Sequence, residues 1–174
     1  MLKKFVNEWV LPTIIAALAV VFIRSFLFGP FRVHGLSMYP TLYGEEFVMV
    51  NLCVYKFKKP SYGDIVVFHT SEERDFIKRV IGVEGDRIRI ENQKVYRNGK
   101  ELFEPYITQP TIGPSREVIV PKDEIYVLGD NRTNSKDSRL IGTVKLQDVV
   151  GRAEFVFFPF SRLKILSCSN CNSY

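Results

Sequence analysis

Residues 9–31 constrain this chain more than any other stretch. Residues 9–23 carry no charge, and Phe26, Leu27 and Phe28 follow directly after Arg24-Ser25. A helix of about 20 apolar residues covers the hydrocarbon of a bilayer, so this run predicts a membrane anchor. Trp9 and the Phe26/Phe28 cluster suit the two interfaces, and Arg24, near the far end, can snorkel its charge to the headgroups. Ala17-Leu18-Ala19 has the small-x-small form of a leader cleavage site, but Val20-Val21-Phe22-Ile23 follows it, so an uncleaved anchor is expected. Charge leaves the orientation open. Lys3 and Lys4 lie on one side, Arg24 and Arg32 on the other, with a slight lean towards a cytoplasmic N-terminus.

Beyond Gly29-Pro30, which ends the helix, helical periodicity almost vanishes. Strand patterns are expected at 31–34, 47–54, 65–69, 76–83, 87–91, 94–97, 117–120, 124–128 and 152–158. Asn98-Gly99 is a hairpin turn dipeptide. A polar turn is expected at 71–74, a loop at 56–60 and one helical turn near 145–150. Residues 105–114 hold three prolines and a glycine, which predicts an irregular excursion. The expected organisation is a cytoplasmic N-terminus (1–8), an anchor (9–30), a mainly β domain (31–160) and a polar C-terminal tail (161–174). The domain reads as all-β, of mixed, partly open barrel type.

The totals exclude several function classes. The net charge is +5, but no Lys/Arg run exceeds two residues, so nucleic acid is not an expected partner. An anionic lipid surface suits the charge as well. Cys53 reads as core, and Cys168 and Cys171 form a local disulfide or two idle thiols. No cluster has the spacing of a metal site, no Gly-rich loop cradles a phosphate, and no cofactor is expected.

Gly35-Leu36-Ser37-Met38-Tyr39-Pro40-Thr41-Leu42 follows the apolar run closely. Ser37 sits between a glycine that allows a sharp bend and a proline that ends regular pairing. Alone this is a turn serine; with a base beside it, it becomes a nucleophile. Phe76-Ile77-Lys78-Arg79-Val80-Ile81-Gly82 offers that base. Neighbours on a strand face opposite ways, so Lys78 lies with Phe76 and Val80, and Arg79 with Ile77 and Ile81. Both faces look buried. A lysine desolvated there is held neutral near pH 7–8, at a cost of roughly 4 kcal/mol, and can take a proton from a serine hydroxyl. The histidines fit less well: His34 is out of phase with Ser37, and His69 ends a strand. Residues 129–139 are dense in polar groups and directly follow a buried-looking strand. Asp130 and Asp137 there could pair Arg79 or Arg139, and Ser135 could orient the lysine amine.

Three stretches together resemble the bacterial type I signal peptidases, the membrane-bound Ser–Lys leader peptidases. They are the serine octapeptide, the lysine strand, and Gly129-Asp130-Asn131-Arg132 with Asn134-Ser135-Lys136-Asp137-Ser138-Arg139. Gly63-Asp64-Ile65-Val66-Val67-Phe68 is a fourth, less specific match. The resemblance implies Ser37 as nucleophile and Lys78 as general base, with Ser135 orienting the lysine. It implies Asp130, Asp137, Arg79 and Arg139 as a supporting ion-pair network. Phe31, Val33, Met38, Leu42, Phe76 and Ile77 would line shallow pockets for small residues at −1 and −3 of a signal peptide. The implied partners are exported preproteins, the lipid bilayer and, by proximity, the secretion translocase. The implied location is the bacterial cytoplasmic membrane, with the N-terminus inside and a β-sheet catalytic domain outside. Gly35 stands where some members have a serine that helps bind the oxyanion, so the hole would rest on the Ser37 N–H and one further donor. The short chain resembles the compact Gram-positive form.

Two rival readings make distinct predictions. A membrane-tethered β-module binding a partner by strand addition would tolerate loss of Ser37 and Lys78. A soluble self-cleaving Ser–Lys regulator would need neither the anchor nor the position of Ser37 next to it.

Overall fold

The computed structural model describes residues 6–70 and 74–166. Expectations for Lys3 and Lys4, for residues 71–73 and for Cys168 and Cys171 lie outside them, as does the Arg24 side chain. A single turn of π-helix at Val6–Val10 leads into α1 (Leu11–Phe26). This helix is shorter than the apolar run. Phe28 already pairs with Asn51, so the end of the run is drawn into a sheet as β1 (Phe28–Arg32), paired in register with β2 (Phe47–Asn51). No helix among the described residues is long and apolar enough to cross a membrane by itself.

The rest is antiparallel β-structure with four short helical turns. After β2 comes α2 (Val54–Phe57), then β3 (Ile65–His69) and β4 (Asp75–Val83). Next are β5 (Arg87–Glu91), β6 (Lys94–Arg97), β7 (Lys100–Glu101), β8 (Val118–Ile119) and β9 (Glu124–Leu128). The chain closes with α3 (Ser138–Ile141), β10 (Val144–Lys145), β11 (Val149–Phe158) and β12 (Lys164–Ile165), with 3₁₀ turns at Leu146–Asp148 and Phe160–Arg162.

An eight-stranded sheet runs β1-β2-β11-β3-β4-β9-β10, with β12 beside β11. A four-stranded sheet runs β7-β6-β5-β8. The end strands β1 and β10 do not pair with each other, so the architecture is two open sheets rather than a closed barrel. Asn98-Gly99 turns β6 into β7, and both residues take positive φ, as that dipeptide favours.

The large sheet holds two cores. Val48, Val50, Ile65, Val67 and Ile77 pack with Met38 and Leu42, and Val66, Phe68, Val80, Ile125 and Val127 pack together in the second. A third core, around Ile81, Ile88, Ile90 and Leu128, joins the small sheet to β4 and β9.

Four details differ from the sequence expectations. The strand predicted at 47–54 stops at Asn51, because the Asn51 side chain accepts from the Cys53 and Val54 N–H groups and starts α2. Cys53 is therefore a half-buried residue at a helix start rather than core. The loop predicted at 56–60 loses its first two residues to the same helix. The segment 161–174 is not tail throughout: β12 pairs with Phe155 and Val156, and Leu166 is buried in the core around Val48.

Candidate active site

The site begins with the alternation of β4. Phe76 and Val80, the face-mates of Lys78, pack in the core around Phe68, while Ile77 and Ile81, the face-mates of Arg79, belong to the other two cores. Both cations are buried, Lys78 to 4% and Arg79 to 3% exposure. The Lys78 Nζ lies 2.8 Å from the Ser37 Oγ and donates to the Ile77 carbonyl at 2.9 Å. Burial pushes its amine down to about 8, against the charges of Asp137 and Asp130, which favour the ammonium. A buried amine half-neutral near pH 8 and in contact with a hydroxyl can serve as a general base.

Ser37 is carried by a tight series of turns. Gly35 takes φ +76°, a left-handed conformation suited to glycine. The Tyr39 N–H donates to the Leu36 carbonyl and the Leu42 N–H to the Met38 carbonyl. Met38 and Leu42 are 1% and 0% exposed. They anchor this loop in the core and do not line the cleft over Ser37 and Lys78, contrary to the expectation for both. A turn presents one side to solvent, and its apolar residues take the other side.

The loop at 129–139 packs onto the serine loop from behind. A β-carbon at Gly129 would lie 2.2 Å from the Ser135 Oγ and 2.5 Å from the Ser37 carbonyl oxygen, so only glycine permits this approach. Asp130 takes two hydrogen bonds from Arg79, Nε at 2.9 Å and Nη2 at 2.6 Å, and a third from the Thr41 hydroxyl. Burial opposes the charge on Arg79, but the bonds and charge of Asp130 outweigh it and hold the guanidinium above its usual range. Asp137 is clamped by Arg139 at 2.8 Å through both Nε and Nη2 and accepts the Gly129 N–H at 3.0 Å. Burial alone would raise its pKa; Arg139 and Gly129 bring it below the ordinary value. The four ion-pair residues thus form two separate pairs.

Ser135 packs against the Gly129 backbone. No hydrogen bond joins it to Lys78, and its buried Oγ has no partner in hydrogen-bond geometry. The backbone at Gly129 closes over the Ser135 hydroxyl.

Several supporting residues escaped the sequence reading. Arg132 is buried and grips Glu104 through two nitrogens, Nη1 at 3.0 Å and Nη2 at 2.5 Å; it also bonds Thr111 and the Gly129 carbonyl. Tyr106 stacks under the Arg79 guanidinium, 3.9 Å from Cζ to ring centre. The excursion at 105–114 is therefore tied to both arginines behind the site. Asn131 contacts the carbonyls on either side of Ser37. Its position inside a polar loop gave no periodic signal.

A cleft of about 330 Å³ opens over the pair. Phe31, Val33, Phe76 and Ile77 line it with Ser37, Lys78 and Gly35, as do Asn134 and Lys136. His34 borders the cleft but is exposed near Glu45, and His69 is exposed and paired with Asp75 at 2.6 Å; neither ring hydrogen-bonds Ser37.

Comparison with known proteins gives a consistent result. The profile described as signal peptidase, peptidase S26 matches residues 6–158. Signal peptidase IB of Staphylococcus aureus (strain COL) is 37% identical over 182 residues, covering 94% of this chain and 95% of its own. Signal peptidase I S of Bacillus subtilis (strain 168) is 37% identical over 177 residues, covering 93% and 94%. The crystal structure of a signal peptidase I from Enterococcus faecalis V583 is 31% identical, covers 55% of this chain and 97% of its own, and superposes with a TM-score of 0.47. With the match running from the first described helix to the end of β11, the chain belongs to the signal peptidase family, peptidase S26.

Proposed function

We propose that this serine endopeptidase removes signal peptides from exported preproteins with Ser37 as nucleophile and Lys78 as general base. The single observation that carries the dyad is the 2.8 Å contact between the Ser37 Oγ and a buried Lys78 amine whose pKa lies near 8. Neutral Lys78 takes the hydroxyl proton as the Ser37 Oγ adds to the scissile carbonyl. The ammonium then protonates the leaving amine, and the acyl-enzyme forms. In the second half Lys78 takes a proton from water, which adds to the ester and releases Ser37. Ser135, buried and unpartnered, is available to accept from the Lys78 ammonium once it forms. Asp130, Asp137, Arg79 and Arg139 hold the loop that carries it.

The substrate lies in the cleft along β4 and the start of the serine loop. Phe31, Val33, Phe76 and Ile77 leave shallow apolar walls, which suit small residues at −1 and −3. Residues 9–30 anchor the enzyme in the bacterial cytoplasmic membrane, N-terminus inside and β domain outside, near the translocase that delivers its substrates. The exposed apolar side chains of α1, including Ile14, Ile15 and Leu18, support the anchor, since no core covers them.

Cleavage of a purified preprotein by wild type, Ser37→Ala and Lys78→Ala tests the dyad. Both variants should lose cleavage by at least about 10³-fold. Undiminished cleavage by either would sink it.

A further inference from the structure

Asn131 lies outside the proton-transfer pair, yet it holds both peptide units that flank Ser37. Its backbone N–H donates to the Ser37 carbonyl at 3.0 Å. Its Nδ2 donates to the Leu36 carbonyl, also at 3.0 Å. The Leu36 oxygen takes a second bond from the Tyr39 N–H at 3.1 Å, so both of its lone pairs are engaged. At the other end of the carboxamide, Oδ1 meets the Thr133 hydroxyl at 3.4 Å, in keeping with Nδ2 as the end that faces Leu36.

In a planar trans peptide the C=O and N–H point in opposite directions. Fixing the Leu36 carbonyl therefore fixes the direction of the Ser37 N–H. That N–H donates to no acceptor among the described residues, and Leu36 and Ser37 both border the cleft. When the Ser37 Oγ adds to a carbonyl, the new oxyanion needs a preorganised donor. Gly35 brings no hydroxyl to share that work, so the aim of the Ser37 amide matters more.

We infer that Asn131 is a positioning residue for the oxyanion hole: its carboxamide holds the Leu36 carbonyl and thereby aims the Ser37 N–H at the developing negative charge. The inference rests on the reading of Ser37 as nucleophile. Asn131 does not line the cleft itself and makes no hydrogen bond to Lys78; it reaches Leu36 and Ser37 only through their backbone carbonyls, so its loss acts on the charged intermediate and leaves the base and ground-state binding alone.

The test uses the full chain in detergent micelles with a peptide substrate bearing alanine at −1. Its probes are a peptide aldehyde ending in alanine and the matching alcohol. The aldehyde forms a hemiacetal with Ser37 that places an oxygen in the hole; the alcohol does not. Asn131→Ala should lower kcat by about 10- to 100-fold, with KM within about twofold, since misaiming a donor costs somewhat less than removing one. Aldehyde affinity should fall by the same factor, alcohol affinity should hold, and the acid limb of kcat/KM should stay in place. Asn131→Asp keeps the shape but loses the donor, and should do at least as much damage.

The inference is overturned if Asn131→Ala stays within about twofold of wild type, if aldehyde and alcohol weaken equally, or if the acid limb moves. It is also overturned if both variants melt lower and lose activity only in proportion to the unfolded fraction. If Ser37→Ala still cleaves, the nucleophile reading fails. If Ser37→Ala is inactive and Asn131→Ala is normal, only this inference fails.

Discussion

Lys78 and Arg79 are neighbours on one strand, equally buried, and they meet opposite fates. On one face of β4, Arg79 finds Asp130 in a two-pronged pair with Tyr106 stacked against it. On the other face, Lys78 finds a hydroxyl, a backbone carbonyl and the Phe76 ring, but among the described residues no carboxylate within bonding distance. Burial is common to both, so burial does not decide which side chain keeps its proton. The partner does. A buried cation with a carboxylate stays charged and holds loops together; a buried cation without one gives up its proton near neutral pH and becomes reactive.

The comparison breaks most visibly if the two side chains are made alike. Lys78→Arg places a cation that cannot deprotonate beside Ser37, and peptide cleavage should fall by at least about 10³-fold, as measured by kcat/KM. On the opposite face, Arg79→Met leaves Asp130 buried and unpaired. It should cost about 3–5 kcal/mol of stability in denaturant titration, and Arg79→Met with Asp130→Leu should cost less than either single change. A double variant no more stable than the singles would mean the pair contributes no more than its separate charges.

Smaller effects sharpen the same contrast. Because Lys78 must be neutral to act, kcat/KM should drop about tenfold per pH unit below an acid limb near 8; a profile flat down to pH 6 would contradict a neutral base. The stability sign is the reverse of the usual paired lysine. The amine falls from 10.5 in the unfolded chain to about 8 in the fold. The unfolded state therefore binds more protons between those values, and stability should rise with pH across that window. Below pH 8 the burial of Lys78 costs roughly 3 kcal/mol, so Lys78→Met should be inactive yet more stable by about 1–3 kcal/mol in the same titration.

Much of this contrast was readable in advance, and the reason is periodicity. Two cations side by side in an apolar strand must face opposite ways, so the alternation of β4 placed Lys78 and Arg79 on opposite faces before any coordinates. The asparagine–glycine turn was legible for a similar reason, since few dipeptides suit positive φ at both positions. What escaped were contacts between irregular segments. Nothing in the spacing of Glu104, Thr111 and Arg132 announces that they converge, because loops have no repeat to extrapolate. The family resemblance places Met38 and Leu42 at pocket positions, whereas a turn buries one side and their side chains fall there. The shortened α1 reflects competition: Phe28 has high helix-compatible hydropathy, but pairing with Asn51 satisfies its backbone in a sheet instead.

The far end of the chain reaches back to the serine loop. Lys164 donates to the Thr41 carbonyl, and Arg162 contacts Glu46 at 3.5 Å while stacking 3.5 Å over Tyr43. Ribosomes make those residues after every other part of the site. A growing chain would therefore hold its nucleophile and base long before it holds the brace that finishes the loop between them. Such long-range closure slows folding, and it makes the last-made segment of the site the one that ties the serine loop down.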